Sequence, residues 1–101
     1  MQRVFPKKVF QQNAEIYRVM ANPTRLHILN YVREREASVS ELVRILDLPK
    51  ANVSQHLAVL RHLRLVRIRR AGLNIYYRIS DPRIVEPCRI LKDLWQQKTF
   101  A

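Results

Sequence analysis

The sequence predicts a mainly α domain with one small β-hairpin, in the order α-α-α-α-β-β-α. Three observations predict it. Apolar residues recur at helical spacing through most of the 101 residues. The period drops to two over a single stretch, from Val66 to Ile79. Glycine, which tolerates the backbone of tight turns, occurs once, at Gly72 in the middle of that stretch.

Each element follows from local chemistry. The first helix is predicted from about Phe5 to Met20, with Phe10, Ala14, Tyr17 and Ala21 at helical spacing. Asn22-Pro23 stops it and starts a second helix: Asn22 caps, and Pro23 sits where a missing amide hydrogen costs nothing. Leu26, Ile28, Leu29 and Val32 give this helix its buried face, and Arg33-Glu34-Arg35-Glu36 its solvated end. Ser38-Val39-Ser40-Glu41 has the pattern of a capping box. It opens a third helix whose Val39, Leu42, Val43 and Leu46 face inward. Asp47-Leu48-Pro49 is a three-residue break. A fourth helix then sets Val53, Leu57, Leu60 and Leu63 on one side.

After Arg64, Val66 and Ile68 alternate with Arg67 and Arg69. Arg70-Ala71-Gly72-Leu73-Asn74 supplies the turn, and Ile75, Tyr77 and Ile79 alternate with Tyr76 and Arg78. Asp81-Pro82 opens a last helix outlined by Ile84, Cys88, Leu91, Leu94 and Trp95. Pro87 inside it should kink the helix or delay its regular start. Two short helices joined by a three-residue turn, followed by a basic hairpin, make a winged helix-turn-helix. It is expected as a single domain over residues 1–101.

Composition narrows the function. At 48% hydrophobic and 27% charged, the chain should fold. One cysteine excludes an intrachain disulfide and a cysteine zinc cage. No run approaches the length of a membrane helix, and Met1–Phe10 lacks the apolar core of a signal peptide, so a cytoplasmic location away from membranes is expected. The formal net charge is +11. Seven of those charges fall in residues 48–80, on Lys50, Arg61, Arg64, Arg67, Arg69, Arg70 and Arg78, without one Asp or Glu. A segment stripped of carboxylates points to a surface that meets phosphate rather than to an ordinary solvated face.

The fourth helix sharpens this. Opposite its apolar side lie Ala51, Gln55, Ala58 and His62, flanked by Asn52 and Ser54. That face is small, uncharged and rich in hydrogen-bonding groups. Asn and Gln can pair with adenine, and alanine admits a thymine methyl. Asn52 and Ser54 could instead cap the helix start. His56 falls at the edge of the buried face, as a phosphate ligand or as a partly buried structural histidine. Lys50 stands at the helix start, where free amides can meet a phosphate. In the hairpin, Arg67, Arg69, Arg70 and Asn74 are the candidate DNA contacts. Charge protection of an edge strand is the competing reading.

Three stretches resemble the ArsR/SmtB family of winged-helix repressors: Met20-Ala21-Asn22-Pro23-Thr24-Arg25-Leu26-His27-Ile28-Leu29, Val53-Ser54-Gln55-His56-Leu57-Ala58-Val59-Leu60, and Arg69-Arg70-Ala71-Gly72-Leu73-Asn74-Ile75-Tyr76-Tyr77. The resemblance runs from Asn13 to Trp95. It implies a homodimer built from the first and last helices, operator DNA bound without inducer, and release on a signal. Phe10, Ile16, Ile90, Leu91, Leu94 and Trp95 are the candidate interface residues.

Departures from the family pattern are equally informative. Metal-sensing members carry cysteines where this chain has Glu36-Ala37-Ser38-Val39-Ser40-Glu41, and others carry Asp-x-His where it has Asp81-Pro82-Arg83. His27, His56 and His62 share no ligand spacing. No metal and no cofactor are therefore expected, and the effector is unidentified. Cys88 is read first as a small packing residue, with a modifiable thiol or a cross-dimer pair as alternatives.

The expected function is a dimeric, sequence-specific repressor. The alternatives are a nonspecific architectural nucleic-acid binder and a protein-interaction module. An enzyme is disfavoured, for want of a phosphate loop, grouped carboxylates or an oriented nucleophile.

Overall fold

A computed structural model describes residues 5–100. Five helices and a three-stranded antiparallel sheet follow the predicted order: α1 (Lys7–Met20), α2 (Pro23–Glu34), β1 (Ala37–Ser38), α3 (Val39–Leu46), α4 (Lys50–His62), β2 (Val66–Ala71), β3 (Asn74–Ile79), a 3₁₀ turn (Pro82–Val85) and α5 (Glu86–Gln96). The part of the leader-free expectation that concerns residues 1–4 lies outside the described residues.

The caps form as the side chains dictate. Asn22 accepts from the Arg25 amide at 3.0 Å, ahead of Pro23. Ser38 Oγ accepts from the Glu41 amide at 3.2 Å while Glu41 Oε1 accepts from the Ser38 amide at 3.1 Å, closing the capping box. Asp47 ends α3 in the left-handed region, φ 54°, a conformation that Asp tolerates better than most residues.

Three boundaries depart from the sequence reading. The first helix starts at Lys7, not Phe5, because Pro6 at its N-cap holds an extended ψ of 149°. The last helix is divided. Asp81 caps only the 3₁₀ turn, and α5 begins at Glu86 with Pro87 in its first turn, where proline is tolerated. The Arg83 guanidinium and then its amide hold the Asp81 carboxyl down at about 2. Finally, the hairpin forms as predicted, but the sheet has a third strand. Ala37 and Ser38 add β1 to its open side, giving the order β1-β3-β2 with Ala37 opposite Tyr77 and Ser38 opposite Tyr76.

The core is wholly apolar. Ile28, Leu29, Val32, Leu42, Val53, Leu57, Leu60 and Val85 are fully buried, closed by Ala37, Leu65, Val66 and Ile79. It therefore lies among α2, α3, α4, the sheet and the 3₁₀ turn. Neither α1 nor α5 contributes a fully buried residue. Both instead present large apolar side chains to solvent: Phe10 and Tyr17 on α1, Ile90, Leu91 and Trp95 on α5.

Candidate nucleic-acid interface

Helix α4 is held from beneath by Val53, Leu57 and Leu60, which fixes its rotation. Lys50, Ala51, Asn52, Ser54, Gln55, Ala58, Arg61 and His62 are consequently exposed. No side chain caps the helix start, and its first turn holds Lys50 and no acid. A helix dipole disfavours a cation there unless an anion is near, so this end is chemically suited to phosphate. Ser54, Ala58, Arg61 and His62 line a depression shared with Tyr77 of β3, so the helix and the sheet bound one concave surface. Asn52 and Ser54 make no capping contact, which leaves their side chains open to a ligand.

His56 is turned the other way. It is half-buried, and its Nδ1 accepts from Arg25 Nε on α2 at 3.2 Å. Burial and then the Arg25 charge lower its pKa below the ordinary histidine value. The structure thus gives His56 an internal partner at Nδ1.

The hairpin turns at Gly72-Leu73, with Ala71 opposite Asn74. Gly72 takes φ +62° and Leu73 does not enter the left-handed region, as in a II′ turn, where glycine comes first. That turn sets the register Arg67 opposite Arg78 and Arg69 opposite Tyr76, so three arginines share the solvent face of the sheet. Like charges directly opposite repel. Their arrangement favours an anion.

Arg69 is already engaged. Its Nε and Nη2 donate to the two Glu36 carboxylate oxygens at 2.8 and 2.9 Å, and its guanidinium lies 4.9 Å from the centre of the Tyr76 ring. The Arg69 hydrogen bonds and charge hold the Glu36 carboxyl below its usual range. Arg67, Arg70 and Asn74 remain exposed.

Arg78, counted in the basic segment but not among the candidate contacts, is brought against Arg67 by the register that Gly72 sets. Leu73 is fully exposed at the tip of the hairpin. Among the described residues no three His, Cys, Asp or Glu side chains group to hold a metal. Cys88 is half-buried and accepts a contact from Asn30 Nδ2 at 3.6 Å.

Comparison with known proteins agrees with this arrangement. Residues 22–67 match the model of a family described as bacterial regulatory protein, arsR family. The HTH-type transcriptional regulator KmtR of Mycobacterium tuberculosis is 44% identical over 70 residues, which span 69% of this chain and 54% of KmtR. This chain thus spans about half the length of that relative. The transcriptional repressor PagR of Bacillus anthracis is 35% identical over 85 residues, 83% of this chain and 85% of PagR. The crystal structure of NolR from Sinorhizobium fredii has a TM-score of 0.75 at 34% identity, covering 94% of this chain and 97% of NolR.

Proposed function

The chain belongs to the arsR family of bacterial regulatory proteins, and from that premise we propose that it is a homodimeric, sequence-specific transcriptional repressor of operator DNA. The observation that carries the reading is the outer face of α4. It is exposed, uncharged from Ala51 to Ala58, and able to hydrogen-bond through Asn52, Ser54 and Gln55. A face of that kind reads base edges, whereas Lys50, Arg67 and Arg70 are placed to anchor on phosphate. The relatives are transcription regulators. No described helix is long and apolar enough to cross a membrane. A cytoplasmic protein acting on DNA is the consistent reading.

The dimer follows from the apolar faces. Phe10 on α1 and Ile90, Leu91 and Trp95 on α5 are each about half exposed or more, while Ile16 and Leu94 are partly covered. A second copy joined about a twofold axis would remove these faces from water, at roughly 25 cal/mol per Å² of apolar area. The family's thiol and histidine metal sites have no counterpart in this sequence, so the signal, if metallic, would need other ligands.

The test separates reading from anchoring. DNA selected from a random pool is compared with scrambled DNA at several salt concentrations. Gln55→Ala should cost about 1–3 kcal/mol per lost base contact on selected DNA only. Arg70→Ala should weaken both DNAs alike and lower the salt slope by about 2 per dimer. Equal loss on both DNAs for Gln55→Ala would establish an architectural, nonspecific binder instead. Half-sites should recur about 34 Å apart.

A further inference from the structure

Arg25 stands where three helices meet. It lies in the first turn of α2, half-buried. Its Nη1 donates to the Val19 carbonyl in the last turn of α1 at 3.1 Å. Its Nε donates to His56 Nδ1, in the middle of α4, at 3.2 Å. The first bond satisfies a carbonyl that the end of α1 leaves without a helical partner, and it sets a cation at the negative end of that helix. The second bond fixes the chemistry of the imidazole. Arginine only donates, so Nδ1 carries the lone pair and the neutral ring holds its proton on Nε2.

We propose that Arg25 is a positioning residue and His56 its proton-sensitive latch: while the imidazole is neutral, the pair holds α4 in register with α2 and the end of α1, and protonation releases it. The proposal rests on the reading of α4 as the helix that enters DNA. A protonated ring would place an N–H on Nδ1, so that two donors and two positive charges would face each other. A 3.2 Å contact cannot survive that. On the helices packed against α2 and α4, Glu15 and Arg18 of α1 pair with each other, and Glu41 of α3 is held in its capping box. Arg44 of α3 and Arg61 of α4 are exposed. The charged group that acts on the ring is Arg25.

The sign is definite. The folded protein holds this proton less readily than the unfolded chain does, because burial and the Arg25 charge both oppose it. The latch is therefore intact above the ordinary histidine value of about 6.5 and is lost as pH falls through the lower folded value. An imidazolium that gripped a phosphate directly would act in the opposite sense and tighten binding on acidification.

The experiment has two readouts. In the free protein, amide resonances of α4 and the ring nitrogens of His56 are followed by NMR from pH 7.5 to 5. The α4 amides should move with the His56 titration, and the neutral ring should show the Nε2–H form. With duplex DNA selected from a random pool, affinity should fall about tenfold per protomer over the same range, the size expected for one charge-assisted hydrogen bond. His56→Asn offers an oxygen acceptor near the place of Nδ1 and does not titrate, so its affinity ratio should drop to near one. Arg25→Ala should raise the His56 midpoint toward 6.5 and leave the α4 amides insensitive to it. Tighter binding at low pH, a pH ratio that survives in His56→Asn, or an Nδ1–H neutral ring would overturn the proposal. If no duplex binds at any pH, the DNA reading has failed. The free-protein titration still decides the latch: α4 shifts that persist in His56→Asn refute it, and shifts that vanish there support it.

Discussion

Glu36→Gln tests whether the wing holds one of its arginines in reserve. Arg69 spends two donors on both oxygens of Glu36, and its guanidinium lies over Tyr76. The pair is solvent-exposed, with side-chain accessibilities of 55% and 30%, so the exchange of Glu36 for a phosphate is a near-balanced swap between two anions. The substitution would keep the shape of the side chain and remove its charge. Each protomer would then offer one more unpaired cation to DNA, and a dimer two. Each phosphate neutralised releases about 0.9 counterion, so the salt slope should steepen by about 2. Between 50 and 200 mM salt, a fourfold change, affinity should then fall about 12-fold more than in the natural protein. Fluorescence anisotropy across that range measures it, on selected and scrambled duplexes alike. An unchanged slope in a folded Glu36→Gln protein would show that Arg69 never reaches phosphate. A slope that drops by the same amount on adding Arg69→Ala to either background would show that Arg69 contacts DNA while still paired. Either result refutes the reserve.

Two further outcomes are expected. Ser38→Ala removes one half of the α3 capping box and should lower stability by about 1 kcal/mol, seen as a shifted urea midpoint with an unchanged slope. Sedimentation at micromolar concentration should give a dimer, and Trp95→Glu, which puts a charge on the apolar face of α5, should give a monomer with intact helical circular dichroism. A natural protein that sediments as a monomer would remove the argument from the exposed faces.

Local chemistry explains why so much of the fold was legible. Asn22-Pro23, Ser38 to Glu41 and Gly72 each act within four residues: the first two form the caps their side chains demand, and Gly72 takes the positive φ its turn requires. The outward face of α4 was legible for the same reason: Val53, Leu57 and Leu60 fix the rotation, and the rest follows from helix geometry. What was not legible depends on distant partners. A two-residue strand such as β1 has no period to detect, and it exists because Tyr76 and Tyr77 come alongside. Glu36 and Arg69 are 33 positions apart, and Arg25 and His56 are 31 apart. Composition marked Arg69 as cationic but could not show that a carboxylate from another element already occupied it.

Ser38 belongs to two structures at once. It pairs with Tyr76 as part of the sheet, and its hydroxyl caps α3, the helix that precedes α4. The wing is thus not a detachable module. Grafting the hairpin of another regulator onto this chain would bring in foreign residues at positions 76 and 77 and disturb the strand that ends in the cap. A functional transplant would have to move residues 37–41 together with residues 66–79, as one unit of exchange interrupted in sequence by the rest of α3 and by α4. Recombination at the hairpin ends alone should yield chimeras with a weakened helix-turn-helix, even where every exposed residue of α4 is kept.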